Sequence, residues 1–115
     1  MEEISQKNEG KRPEEVEVLD ASVIIEKKYG LTTIFSTIEY PPAAGHCDIL
    51  FPDIEDYSKA MEISWDLRKR GTPIGAIDIL IASICINKNL KLVTKDRDFE
   101  NIKSVEPRFR LEIRE

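Results

Sequence analysis

One apolar segment constrains the fold of this chain more than any other feature. Between Pro73 and Asn87 nearly every residue is apolar or small, and Asp78 is the only charged one. A helix that is apolar nearly all round is buried on most of its faces, and proline suits the first turn of such a helix. The segment therefore predicts a buried helix over about residues 75–87, carrying a single carboxylate into a packed interior.

The rest of the sequence is typical of one globular domain without a membrane span. Its 115 residues are 41% hydrophobic and 34% charged, which is enough apolar material for a core. No stretch of about 18 apolar residues is present, and the polar segment Met1–Glu17 lacks the apolar region of a secretory signal. Cys47 and Cys85 fit neither a disulfide framework nor a zinc-ligand spacing. We therefore expect a reducing, cytoplasmic setting.

Segments with strand character alternate with helical ones along the chain. We predict strands at residues 15–20, 31–38, 47–51, 90–94 and 110–113. We predict helices at residues 21–29, 53–70 and 75–87, with a short helix or loop leading to residue 102. This alternation favours an α/β layered domain with a parallel sheet. Residues 1–15 form a polar lead that we expect to be ordered only in part.

Four acidic residues follow from this arrangement as candidate metal ligands. Asp20 and Glu39 end the first two predicted strands, and Asp96 follows the strand at 90–94. The carboxyl ends of parallel strands share one edge of a sheet with the N-termini of the following helices, where Asp78 also belongs. We expect the four carboxylates to lie within about 4–9 Å of one another, around a hard cation such as Mg²⁺ or Mn²⁺. Water on such an ion can attack a phosphodiester.

Each acid also has an ordinary structural role open to it. Asp20 could cap the helix that follows, and Glu39 could be a surface acid. Asp78 could reach helix-end amides or pair with a basic side chain, and Asp98 is better suited to capping the last helical turn than to binding a metal. Only convergence on one site separates these alternatives from a metal centre.

The remaining conspicuous side chains carry less information. His46 is the only histidine, so neither a zinc set nor a catalytic triad is visible. Tyr57, Met61 and Trp65 follow helical spacing, which is typical of a core or an interface rather than of a base-stacking platform. They offer more apolar surface than one small domain needs to bury, and we therefore expect a homodimer.

The acids lie in four motifs that together resemble those of a known family. The motifs are Val18–Glu26, Ile38–Pro42, Ile74–Ala82 and Leu92–Phe99, in that order and each with its acid. They resemble the motifs of the PIN-domain ribonucleases, in an archaeal, VapC-like form, over roughly residues 16–113.

The resemblance implies a three-layer α/β/α PIN-like fold with a central parallel β-sheet over residues 16–115. It implies a Mg²⁺- or Mn²⁺-dependent endoribonuclease, often the toxin of a toxin–antitoxin pair. It also implies a homodimer and a small VapB-like antitoxin that blocks the site.

The same resemblance implies roles for individual residues. The metal-site acids are Asp20, Glu39, Asp78 and Asp96, with Ser22 and Thr94 as polar supports and Asp98 as a possible accessory acid. Lys95 and Arg97 lie beside Asp96, where basic side chains can hold the phosphates of an RNA substrate.

The sequence also departs from the family pattern and leaves other readings open. Asp20 and Glu39 are closer together than is usual, Ala21 stands where threonine is common, and the polar lead is unusual. A shortened domain of this kind could be a housekeeping RNA-processing nuclease, or a PIN-like module that binds a protein partner and no longer cuts. Metal binding separates the last reading from the two nucleases.

Overall fold

The structure, a computed structural model, describes Arg12, residues 15–27 and residues 29–115. The expectation of a partly ordered lead over residues 1–15 falls almost wholly outside this range. Within it, strands and helices alternate as β1 (Glu17–Leu19), α1 (Ala21–Lys27), β2 (Gly30–Thr33), α2 (Ile34–Glu39), a 3₁₀-helix (Pro41–Gly45), β3 (Cys47–Leu50), α3 (Ile54–Arg70), α4 (Ala76–Lys88), β4 (Lys91–Thr94), α5 (Phe99–Val105) and β5 (Leu111–Ile113). None of the described helices is long and apolar enough to cross a membrane.

The five described strands form one parallel sheet in the order β3-β2-β1-β4-β5. From β1 the chain builds outward to β2 and β3 on one side and later to β4 and β5 on the other. The strand order therefore reverses between β1 and β4, where Leu19 is paired with Val93. Ligands of open α/β sheets bind outside the carboxyl ends of the strands at such a reversal. The predicted parallel α/β fold is confirmed. Its topology places the expected ligand site outside the carboxyl ends of β1 and β4.

A separate hydrophobic core covers each face of the sheet. Val18 and Leu92 belong to the larger core, together with residues of α3, α4 and α5. Their neighbours Leu19 and Val93 belong to a smaller core with residues of α1 and the 3₁₀-helix. Successive side chains of a strand point to opposite faces, so the sheet lies between two helical layers and the α/β/α architecture is confirmed.

The helix predicted from the apolar segment is α4. Its buried residues are Ile79, Ile81, Ala82, Ser83, Ile84 and Cys85, and it packs mainly against α3. Ile77 remains 44% exposed, so the helix is covered along most of its length but not at its first turn. That opening is where Asp78 lies.

The strand predicted over residues 31–38 is wrong beyond Thr33. The chain leaves β2 there and turns into α2, because Thr33 caps the new helix: its Oγ1 accepts a hydrogen bond from the Ser36 backbone N–H at 3.2 Å. The β-branched residues that suggested a longer strand have only a weak intrinsic preference, and a threonine cap outweighs it. Glu39 is consequently the last residue of a helix rather than the end of a strand.

The bounds of the other elements agree with the predictions to within a few residues. Asp53 caps α3 in a capping box, in which its N–H donates to Asp56 Oδ2 at 2.8 Å. Gly71 ends that helix in the left-handed conformation at φ 78°. The first helix was predicted to reach Tyr29 but is described only to Lys27, and α5 extends further than predicted.

Candidate active site

Asp20 lies directly after β1, at the reversal of strand order, and its side chain is held by three donors. The Ser22 N–H and hydroxyl donate to Oδ1 at 3.1 and 2.6 Å, and the Thr94 hydroxyl donates to Oδ2 at 2.6 Å. Only 9% of the residue is exposed. All three donors are neutral, and within the described ranges no Lys or Arg forms an ion pair with this carboxylate. Its position is thus fixed while its negative charge is left without a cationic partner.

The loop after β4 is tied to the same point. The Thr94 hydroxyl that donates to Asp20 also accepts the Asp96 N–H at 3.0 Å, and the Lys95 N–H donates to Ser22 Oγ at 3.0 Å. Asp96 in turn accepts the Asp98 N–H on Oδ1 at 2.9 Å. These bonds tie the backbone of Asp96 to the end of β4. Of its carboxylate oxygens, only Oδ1 accepts a hydrogen bond from the described part of the chain.

Asp78 lies in the first turn of α4, and the charges of the other acids act on its carboxylate. Burial, followed by the charges of Asp96, Glu39, Asp20 and Asp98, raises the pKa of Asp78 from 3.8 to about 6. Like charges disfavour ionisation when they are close and poorly solvated. The charges of the three other predicted acids, and that of Asp98, thus all act on Asp78.

The acids that act on Asp78 offer the oxygen donors of a cation site, although their side chains do not converge at metal-binding distances. Among the described residues, no three His, Cys, Asp or Glu side chains already stand at metal-binding distances. The donors are carboxylate oxygens, which Mg²⁺ and Mn²⁺ prefer, and Glu39 and Asp96 are exposed and able to reorient. The donor set fits a hard divalent cation, and the separation of about 4–9 Å stays a prediction.

The two predicted phosphate-binding residues are engaged in ion pairs at the surface. Lys95 pairs with Glu26 of α1, and Arg97 pairs with Glu100 and Glu115 at 3.1 and 2.9 Å. Exposed pairs of this kind contribute about 0–1 kcal/mol, so they are easily exchanged. No local sequence pattern predicts the pair of Lys95 with Glu26, because the two residues are 69 positions apart. They meet through the pairing of β1 with β4.

The fold of this chain is similar to that of solved VapBC structures. VapBC-1 from nontypeable Haemophilus influenzae matches with a TM-score of 0.68 and 17% identity, over 85% of this chain and 97% of that chain. DNA-bound VapBC from Salmonella typhimurium matches with a TM-score of 0.68 and 20% identity, over 85% of this chain and 97% of that chain. VapBC2 from Rickettsia felis, bound to a promoter DNA fragment, matches with a TM-score of 0.67 and 19% identity, over 85% of this chain and 98% of that chain. At such identities the likeness concerns the fold alone. No curated protein matches the chain.

A family model adds a sequence match to the likeness in fold. The model of the PIN domain matches residues 42–105, which is more than half of the chain. This range includes Asp78 and Asp96 with the elements that position them, while Asp20 and Glu39 precede it. The chain belongs to the PIN domain family.

Proposed function

We propose that this protein is a divalent-metal-dependent endoribonuclease that hydrolyses phosphodiester bonds of single-stranded RNA, as a VapC-like toxin. The observation that carries the proposal is the raised pKa of Asp78. Burial and the charges of four other carboxylates raise this pKa to about 6. Acids concentrated at the carboxyl edge of a parallel sheet are costly unless something neutralises them. A cation required for catalysis accounts for that cost.

We propose that Asp20, Glu39, Asp78 and Asp96 hold Mg²⁺ or Mn²⁺. Such an ion, when bound, lowers the pKa of its water and stabilises charge on a phosphate. Ser22 and Thr94 fix both oxygens of Asp20, and so orient it before the ion arrives.

The other three proposed ligands complete the metal site around Asp20. Asp78 is partly protonated near its pKa of about 6 and must lose this proton to act as a ligand. Glu39 and Asp96 are exposed and complete the site by reorientation. Asp98, which donates its backbone N–H to Asp96 Oδ1, is proposed as an accessory acid.

Lys95 and Arg97 are proposed to bind the substrate backbone. Their present partners are exposed glutamates, and phosphates of RNA compete well for such side chains because released counterions favour the exchange. Phosphate contacts position a nucleic acid without reading its sequence. The preference for RNA over DNA rests on the family resemblance.

The proposed partners are a VapB-like antitoxin and a second copy of the chain. The structural neighbours named above are VapBC proteins, two of them bound to DNA. A small antitoxin that covers the acids would suppress the activity, and a cytoplasmic location would place the enzyme with its RNA.

Cleavage of a labelled single-stranded RNA tests this function. We expect cleavage in Mg²⁺ or Mn²⁺, none in EDTA, and a loss on the order of a hundredfold or more for Asp78→Asn, which keeps the shape and removes one ligand charge. Asp66→Asn changes an acid in α3 whose one ion pair with the described residues is with Lys69, at 3.5 Å. It is the matched control and should cut normally. Metal binding without cleavage would favour the non-cutting module, and wild-type activity in Asp78→Asn would refute the proposed site.

A further inference from the structure

The hydroxyl of Thr32, a residue of β2, is bonded to the backbone directly before Asp20. It donates to the Leu19 carbonyl oxygen at 2.5 Å, although the two residues are 13 positions apart. Thr32 is fully buried, and only 5% of Leu19 is exposed. Valine has nearly the same shape as threonine and a similar preference for strands. The bond that the hydroxyl makes is therefore what threonine adds at this position.

The carbonyl that accepts this bond belongs to the peptide group that joins Leu19 to Asp20. The N–H of the same peptide group donates to the Val93 carbonyl oxygen of β4 at 3.2 Å. β2 thus holds the oxygen of the group and β4 holds its hydrogen, on opposite sides of β1. Because a peptide group is planar, these two bonds fix its rotation about the chain. They thereby fix the direction in which Asp20 projects its side chain.

The bond lies where the pairing of β1 with β2 ends. β1 pairs in register with β2 at Val18 and with β4 as far as Leu19. β2 ends one residue after Thr32, and the chain then turns into α2. The Thr32 side chain therefore adds a bond from β2 to β1 beyond the residues that pair in register, immediately before the proposed metal ligand.

We infer that Thr32 is a positioning residue of the proposed metal site. Its hydroxyl orients the Leu19–Asp20 peptide group, and Ser22 and Thr94 then fix the carboxylate that Asp20 carries. The carboxylate oxygens are held in place before a cation binds, which lowers the cost of ordering them on binding. The inference rests on the proposed function, in which Asp20 is a metal ligand. It adds a residue that acts on the cation only through Asp20.

Amide hydrogen exchange of the metal-free protein tests the positioning directly. Thr32→Val keeps the shape of the side chain and removes the donor. Exchange of the Asp20 and Ser22 N–H groups should rise about fivefold more than that of the Leu90 N–H, as expected for the loss of one buried hydrogen bond. The Leu90 N–H donates to the Cys85 carbonyl oxygen at the end of α4 and reports changes in global stability. Equal changes at all three amides overturn the inference.

A Mn²⁺ titration tests the consequence for the metal site. Groups that bond directly to metal ligands usually change the affinity about 10–100-fold. Thr32 acts through the backbone, so we expect Thr32→Val to weaken Mn²⁺ binding by less, about threefold to tenfold. Thr32→Ser retains the hydroxyl and should bind Mn²⁺ within about twofold of the wild type.

Thr37→Val is the matched control for these variants. Thr37 is 5% exposed, and its hydroxyl donates to the Ile34 carbonyl oxygen at 2.7 Å, within α2. The substitution thus removes a buried hydroxyl that bonds to the backbone but does not reach β1, and it should leave the Mn²⁺ affinity unchanged. Chemical denaturation shows that each variant is folded. An equal loss of affinity in Thr37→Val and Thr32→Val would contradict the inference.

The outcomes separate this inference from the proposed function. If the wild type binds Mn²⁺ and Thr32→Val binds it equally well, or if Thr32→Ser is as weak as Thr32→Val, the inference alone is wrong. If the wild type binds Mn²⁺ without cutting RNA, the proposed enzyme is refuted, whereas weaker Mn²⁺ binding by Thr32→Val supports the positioning role. If the wild type binds no Mn²⁺, the proposed metal site and this inference are both wrong.

Discussion

Thr94 donates its hydroxyl to Asp20 Oδ2 at 2.6 Å, across the two strands between which the order of the sheet reverses. The two residues are 74 positions apart in sequence, and Thr94 is fully buried. The same hydroxyl accepts the Asp96 N–H, so one side chain holds two of the proposed metal ligands. Groups that orient the ligands of a metal generally affect its affinity as well.

Thr94→Val preserves the shape of this side chain and removes the hydroxyl. It leaves a buried carboxylate oxygen without its donor, and we expect the free energy of unfolding to fall by about 1–3 kcal/mol. The affinity for Mn²⁺ should fall about 10–100-fold. Chemical denaturation and a metal titration measure the two effects.

Thr72→Val is the matched control for that substitution. Among the described residues, Thr72 Oγ1 is the only buried side-chain polar atom with no hydrogen-bond partner. Its loss costs no hydrogen bond, so the variant should be as stable as the wild type or slightly more so. Equal destabilisation by the two substitutions would show that the bond from Thr94 has no special role.

The pKa of Asp78 predicts how the metal-free protein responds to pH. Because that pKa is about 6 in the folded state and near 3.8 when unfolded, the folded protein binds the extra proton between these values. Stability should therefore fall as the pH rises from about 4 to 6 and stay low above it. Asp78→Asn should raise the free energy of unfolding by about 1–2 kcal/mol at pH 7, discounted for partial exposure, and change little at pH 4. A variant less stable than wild type at pH 7 would contradict this.

Divalent cations should reverse that instability. An ion that binds only the folded state stabilises it by about 2.7 kcal/mol at a hundredfold excess over its dissociation constant. We expect the melting temperature of the wild type to rise in millimolar Mg²⁺ or Mn²⁺, and that of Asp78→Asn to rise less. Unchanged wild-type melting in both ions would speak against a metal site.

A group of ion pairs on the sheet predicts a different dependence on pH. Lys91 joins Glu17 and Glu112 at 3.1 and 2.9 Å, and Arg114 joins Glu112 at 2.9 Å. Hydrogen bonds from Lys91 and then Arg114 lower the pKa of Glu112 from 4.5 to about 2. The stabilisation is present above pH 4.5 and is lost as the pH falls towards 2.

Glu112→Gln measures that contribution. The side chains are 30–36% exposed, so solvent screens them and we expect a loss of only about 0.5–1 kcal/mol at pH 7. The loss should shrink in high salt. A loss that is independent of salt would indicate packing instead of charge.

Parts of this molecule were predictable where local chemistry decides the outcome. The buried helix α4 with its single acid, the Asp53 cap and the Gly71 stop each follow from short-range patterns, and the structure confirms them. The end of β2 did not follow, because the cap at Thr33 competes with β-branched residues that favour a strand. The pair between Glu26 and Lys95 depends on the pairing of distant strands, which no local pattern records.

The central claim is that the acids around Asp78 form a divalent-metal site, and a crystal structure of the wild type grown with Mn²⁺ tests it most directly. We predict an anomalous-scattering peak bounded by Asp20, Glu39, Asp78 and Asp96, with carboxylate oxygens about 2.0–2.3 Å from the ion. The peak should be absent in crystals of Asp78→Asn grown in the same way. A wild-type map with no peak among these carboxylates, or with Mn²⁺ bound only elsewhere, would contradict the account.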